Sequence, residues 1–261
     1  MITSNQNAKV QWVRKLLTQK KERLSSNCYV MEGVRLIEDA MEQTEPIRLV
    51  LFSEPVSERT RAILDRVQSA QIEFEEVSVP VMKSLSDTET PQGILAVAEM
   101  RAGELPKKPN FVLILDAIHD PGNLGTIFRT AAAAGADLLL LSPQCADPYA
   151  PKVIRSGMGA HLKLPFRQLQ WQEISAFFLQ FPEIRILASD MEGGLPHWRH
   201  DLTQPLALII GSEAEGICQQ AEQLASEKIF IPMAERVESL NAAVAAGILM
   251  FETVRQREVK K

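Results

Sequence analysis

The reading of this chain turns on residues 229–251, IFIPMAERVESLNAAVAAGILMF. Ile229, Phe230 and Ile231 are stopped by Pro232, which predicts a short buried strand ending in a turn. A polar loop over 234–238 follows, and a long helix is expected to open at Ser239. Leu240, Val244, Ile248 and Phe251 recur at helical spacing, so that stripe is expected to face the core. Between them Ala242, Ala243, Ala245, Ala246 and Gly247 keep the surface thin enough for a second helix to come close. Ser239 by itself suits a helix N-cap, because a hydroxyl there accepts an orphan backbone N–H.

Upstream, Phe111-Val-Leu-Ile-Leu115 is a continuous apolar run of the kind buried on both faces of a parallel sheet. Leu138–Leu141, Ile184–Ala188 and Leu206–Ile210 repeat it, each followed by turn residues and then a helical pattern. This half therefore reads as α/β with a mostly parallel sheet, and ligands of such sheets sit beyond the carboxyl ends of the strands. Loops 116–129, 211–217 and 231–241 are where a site is expected. The first half alternates strands near 28–31, 47–52, 72–77 and 93–99 with helices near 33–41, 60–69 and 79–86, a smaller α/β domain. The polar, Gly- and Pro-bearing stretch 101–110 divides the two, giving domains over 1–103 and 108–261.

Composition narrows the class. Of 261 residues, 46% are apolar and 23% charged, the balance of a soluble globular protein. No run approaches the roughly 20 apolar residues of a membrane span, and the first residues lack a signal-peptide layout. Cys28, Cys145 and Cys218 are too scattered for a disulfide framework. A cytoplasmic protein is expected. Net charge is −5, yet residues 1–25 hold Lys9, Arg14, Lys15, Lys20, Lys21 and Arg23 against Glu22 alone, a local +5 that leaves −10 elsewhere. Such asymmetry points to a polyanionic partner, or to a solvated amphipathic helix over 9–21. His197 and His200 have no third ligand near them in sequence, so no metal site is expected.

Taken singly, the three loops say little. Asn123 could cap the helix after Phe111–Leu115, and Gly125 would let a group approach the backbone. Gly211-Ser-Glu-Ala-Glu-Gly216 is neither a dinucleotide fingerprint nor a phosphate loop. Together, in order and spacing, they resemble the three motifs of the SpoU/TrmH family of RNA ribose 2'-O-methyltransferases, within the SPOUT superfamily. Asn123-Leu-Gly-Thr-Ile-Phe-Arg129-Thr-Ala is similar to the first motif, Ile210-Gly-Ser-Glu-Ala-Glu-Gly216-Ile to the second, and Ile231-Pro-Met with Glu238-Ser-Leu-Asn241 to the third. Residues 147–160 resemble the segment between motifs, and Tyr29-Val-Met-Glu-Gly-Val-Arg35 resembles the start of the family's substrate-binding domain. Glu235 stands where the third motif usually has glycine, and Ala214 where the second often does.

The resemblance implies a deep trefoil knot in the C-terminal sheet, S-adenosylmethionine (AdoMet) as methyl donor, RNA as substrate and a homodimer joined through the C-terminal domain. It implies catalytic roles for Asn123, Arg129, Glu213, Ser239 and Asn241, with Asn123 orienting Arg129 or the ribose and Glu213 pairing with Arg129 or holding its loop. Backbone near Gly211, Ile231, Met233 and Leu240 would hold the cofactor. RNA would meet Arg14, Lys15, Lys20, Lys21, Arg23, Lys152 and Arg155. The N-terminal domain favours ribosomal over transfer RNA. A catalytically silent RNA-binding or ribosome-assembly factor is the alternative, motivated by Glu235.

Overall fold

The computed structural model describes the chain except residues 87, 89, 102, 191–192, 235–238 and 260–261. Glu235 and Glu238 therefore lie outside the described residues. The chain divides into two compact units, 1–101 with 149–162, and 102–148 with 163–261.

The first unit carries helices α1 (Ala8–Thr18), α2 (Lys20–Ser26), α3 (Val34–Glu42), α4 (Glu58–Ser69), α5 (Val79–Leu85) and, from the later segment, α7 (Pro151–Gly157). Its strands β1 (Cys28–Glu32), β2 (Ile47–Phe52), β3 (Glu73–Glu76) and β4 (Ile94–Glu99) form one sheet in the order β1-β4-β2-β3. β4 runs against both neighbours, while β2 and β3 are parallel. Period-two alternation sorts the strand side chains between two cores. Cys28, Val30, Leu95 and Val97 pack with Val10, Val13 and Leu16 of α1 and with Val81, Met82 and Leu85 of α5. Tyr29, Met31, Ile94, Ala96 and Ala98 pack with Ile37 and Ala40 of α3, Ile63 and Val67 of α4, and Ile154 of α7.

The second unit holds helices α6 (Pro121–Ala133), α8 (Trp171–Phe178), α9 (Gln219–Leu224) and α10 (Ala242–Val259). Its strands are β5 (Phe111–Leu115), β6 (Leu138–Leu141), β7 (Phe166–Gln168), β8 (Arg185–Ser189), β9 (Leu195–Pro196), β10 (Leu206–Ile210) and β11 (Glu227–Phe230). They form one sheet in the order β7-β6-β5-β10-β8-β11-β9, with every pairing parallel. The fold class expected for each half is the one found. All residues of β5, β6 and β10 are buried, as strands covered on both faces must be.

The last helix departs from expectation in two ways. It begins at Ala242, and Asn241 caps it: the Asn241 Oδ1 accepts from the backbone N–H of Ala243 at 3.0 Å and of Val244 at 3.3 Å. Ser239 is not the cap. The expected apolar stripe is also turned outward, with Val244, Ile248 and Phe251 at 50%, 37% and 49% exposure and Leu240 half-buried. The core takes Ala242, Ala243, Ala246, Leu249, Met250 and Thr253 instead. The reason is the thin Ala/Gly surface, which lets α10 lie close on α6; a Cβ at Gly247 would stand 3.8 Å from the Thr130 side chain.

Candidate active site

Because the second sheet is wholly parallel, its strand ends deliver their loops to one side. A cavity of about 270 Å3 opens there, at the ends of β8, β10 and β11. Ser189 and Asp190 reach it from β8, Ile210 to Ala214 and Gly216 from β10, and Ile231 and Met233 from β11. Ser239, Leu240, Ala242 and Ala245 close it from the last loop and the first turns of α10. Gly211, Ile231, Met233 and Leu240, the residues expected to hold the cofactor, all line it.

The loop after β10 is folded tightly back on itself. Ser212 and Gly216 exchange backbone hydrogen bonds at 2.9 and 3.0 Å, and Gly216 sits at φ +69°. A Cβ at Gly211 would fall 2.2 Å from the Gly216 carbonyl oxygen, so only glycine fits. The far end of the loop is held by Asp116, a carboxylate 1% exposed at the end of β5, which accepts from the Cys218 N–H at 2.6 Å. Desolvation, reinforced by that carboxylate, pushes the Cys218 thiol above its usual range and keeps it protonated.

Glu213 is where the three loops meet. Its Oε1 accepts from Asn123 Nδ2 at 2.6 Å, from Asn241 Nδ2 at 3.1 Å and from the Ala242 N–H at 2.9 Å. Asn241 Nδ2 also donates to Asn123 Oδ1 at 3.0 Å. One carboxylate oxygen thus ties the first turn of α6 to the start of α10. Asn123 is free for this because Asp120, not Asn123, caps α6, its Oδ1 accepting from the Asn123 N–H at 2.8 Å. Glu213 Oε2 makes no hydrogen bond among the described residues.

Arg129 stands apart from this hub. Six residues along α6 from Asn123, it is displaced by about 9 Å along the axis and about 120° around it. It is exposed and forms no hydrogen bond or ion pair among the described residues. Of the two roles expected for each, pairing with Arg129 is made by neither Asn123 nor Glu213, which bond to each other; Glu213 instead ties its loop to α6 and α10. Asp116 and Asp120 carry the loops without having stood out in sequence. For Asp120 the signal was there, an Asp-Pro pair at a helix start; for Asp116 there was none.

The cations expected to meet RNA divide into two kinds. Lys15, Lys20 and Lys21 are exposed and without ion pairs among the described residues. Arg14 is spent on Asn5 and Ser84, each at 3.0 Å. Arg23 is 5% exposed and donates to the Leu16 carbonyl at 2.5 Å, satisfying the last turn of α1, so it is a structural cap and not a phosphate contact. Lys152 is exposed on α7, while Arg155, half-buried, lies 3.9 Å from Glu32.

Comparison with known proteins covers both units. Residues 7–96 match the MRM3-like substrate binding domain, and residues 110–251 match the SpoU rRNA Methylase family. The chain is 33% identical to an uncharacterized tRNA/rRNA methyltransferase of Synechocystis, over 98% of this chain and 94% of that one. It is 32% identical to the 23S rRNA (guanosine(2553)-2'-O)-methyltransferase RlmP of Bacillus subtilis, over 96% and 97%. Among solved structures, the SpoU methyltransferase AviRb of Streptomyces viridochromogenes, in complex with AdoMet, superposes with a TM-score of 0.90 at 31% identity, covering 97% of this chain and 99% of that one. The matched stretch 110–251 covers more than half of the chain and contains the three loops that meet at Glu213, two of which line the cavity, and on that ground the chain belongs to the SpoU rRNA methylase family.

Proposed function

We infer that the protein methylates a ribose 2'-hydroxyl of ribosomal RNA, with AdoMet as the methyl donor. The observation that carries the reading is the Asn123–Glu213–Asn241 hub, whose Glu213 lines the cavity at the strand ends. The cavity fits a nucleoside-bearing donor. Gly211 leaves backbone bare where no side chain can stand, and Ile231, Leu240, Ala242 and Ala245 offer apolar surface for a ring. When bound, AdoMet supplies an electrophilic methyl on sulfur. Backbone at Gly211, Ile231, Met233 and Leu240 holds its nucleoside part.

The protein's work is then to position the hydroxyl and to manage its proton. Glu213 Oε1 is fixed by three donors, which leaves Oε2 to accept the hydroxyl proton as the ribose oxygen takes the methyl; the methyl's bond to sulfur would break in the same step and leave S-adenosylhomocysteine as a neutral thioether. Arg129 cannot take the proton, since a guanidinium offers only donors and no acceptor. Exposed and unpaired among the described residues, and set apart from the hub, Arg129 is placed to hold a phosphate of the RNA beside the target ribose. Ser239 adds a hydroxyl at the cavity wall. The first unit binds RNA, with Lys15, Lys20, Lys21 and Lys152 among its phosphate contacts. The exposed row Val244, Ile248 and Phe251 suits a second copy of the chain, hence a homodimer. A knotted path of the last loops and a cytoplasmic location complete this reading; no described helix is long and apolar enough to cross a membrane.

The test pairs titration calorimetry of AdoMet with methyl transfer to ribosomal and transfer RNA, mapped by resistance of the modified linkage to alkali. Expected are AdoMet binding and a 2'-O-methyl group on ribosomal RNA. A protein that binds no AdoMet would sink the reading; methylation of a base nitrogen or carbon would sink its chemistry.

A further inference from the structure

A second cavity, of about 230 Å3, lies wholly within the first unit. Three segments distant in sequence converge on it. One runs from Glu32 at the end of β1 to Asp39 in α3, one holds Thr88, Thr90 and Gln92 ahead of β4, and the third holds Ile154, Arg155 and Met158.

Its walls are apolar, from Leu36, Ile154 and Met158, around a buried carboxylate. The Glu32 side chain is 9% exposed. Its Oε1 accepts from the hydroxyls of Ser86 and Thr88. Its Oε2 is buried with no hydrogen-bond donor among the described residues; Arg155 Nη1, at 3.9 Å, is within ion-pair reach but too far for a hydrogen bond. A buried acceptor left without a donor destabilises the fold, so its persistence points to a donor supplied from outside. A second observation converges on the same place. Met158 is held at φ +47°, which side chains seldom adopt, and it remains 52% exposed at the edge of the cavity. Gln92 uses its Oε1 to accept from the Val34 N–H at 2.8 Å, which turns its amide nitrogen into a spare donor. Arg35 is exposed and unpaired among the described residues.

We propose that this cavity receives one unstacked RNA base that carries an exocyclic amino group, adenine, cytosine or guanine, with its amino N–H donating to Glu32 Oε2. The proposal rests on the reading that the protein acts on RNA, and on the likeness of residues 7–96 to a substrate-binding domain. A base has flat apolar faces for Leu36, Ile154 and Met158, and Arg35 meets the adjoining phosphate. An amino group beside a ring acceptor matches a carboxylate beside an amide donor. Uracil flanks its single N–H with two carbonyls, which a carboxylate repels.

The experiment is NMR of the full chain with 13C-methyl-labelled methionine, the Met158 signal being assigned by a Met158→Leu variant among the nine methionines. The probes are AMP, CMP, GMP and UMP, added with S-adenosylhomocysteine in excess so that the cofactor cavity is filled. The Met158 methyl is expected to move with the amino-bearing nucleotides, with affinity about tenfold above that for UMP. Glu32→Gln, which replaces one carboxylate oxygen by an N–H donor, is expected to erase that preference while the thermal midpoint confirms a folded protein. A Met158 signal indifferent to every nucleotide, an equal response to UMP, or a preference that survives Glu32→Gln would each overturn the proposal. AdoMet binding by the same preparation is read separately: its absence sinks the methyltransferase reading and leaves the methionine signal free to decide this one.

Discussion

The two units solve the same problem, placing a cavity beside a sheet, with different degrees of openness to prediction. In the seven-stranded sheet every strand runs the same way, so the loops after β8, β10 and β11 arrive at one end whatever their sequence separation. In the four-stranded sheet β4 opposes β1, and the cavity lies between the end of one strand and the approach to the other, closed by a segment from beyond residue 148. A parallel sheet tells a reader where to look. A mixed sheet carries no such rule, so Glu32 could be read only as part of the stretch Tyr29–Arg35, and its place in a cavity only from the fold.

The sharpest way to break this contrast is at Gly211. Alanine there sets a Cβ 2.2 Å from a backbone oxygen that cannot move without opening the Ser212–Gly216 pairing. We expect AdoMet affinity to fall about a hundredfold, with about 3 kcal/mol of stability lost from the loop's repacking. Calorimetry and urea unfolding read the two separately. Wild-type affinity in Gly211→Ala would show that the loop's close approach does not shape the cofactor cavity.

Glu213 sharpens the same point, because its two oxygens have different partners. Glu213→Gln keeps an oxygen for Asn123, Asn241 and the Ala242 N–H, so AdoMet affinity is expected to stay near wild type while kcat falls about 10²-fold. Glu213→Ala removes the hub, and both quantities should fall. Equal losses in the two variants would reduce Glu213 to a strut. Full turnover in Glu213→Gln would remove it from the chemistry.

How much of this was legible follows from what each residue touches. β5, β6 and β10 could be read because strands buried on both faces leave unbroken apolar runs. The hub residues could be named, but their contact could not: Asn123 and Glu213 are 90 positions apart, Asn123 and Asn241 118, and no local pattern records a bond of that span. α10 misled because its first stretch, residues 242–251, is apolar all round. A repeat of large residues shows that a stripe exists, and the choice of the small-residue face for the core was made by α6, whose closeness only the fold reveals. Arg23 misled by charge alone. Counting cations cannot distinguish a guanidinium over a phosphate from one folded onto a helix end.

That last distinction gives the finest comparison, between neighbours in one basic stretch. Arg23→Ala leaves the Leu16 carbonyl without its donor inside the first unit, and should cost about 1–3 kcal/mol in urea unfolding. Changing Lys20 and Lys21 together to alanine should alter stability by no more than about 0.5 kcal/mol, since both are exposed and unpaired among the described residues. Their effect belongs to RNA instead. If each lysine displaces one counterion from single-stranded RNA, the slope of log affinity against log salt should become shallower by about 1.4 in the double variant. An unchanged slope would leave the +5 excess at the N-terminus as a solvated helix face, and RNA recognition by the first unit would have to rest on its cavity and on Arg35.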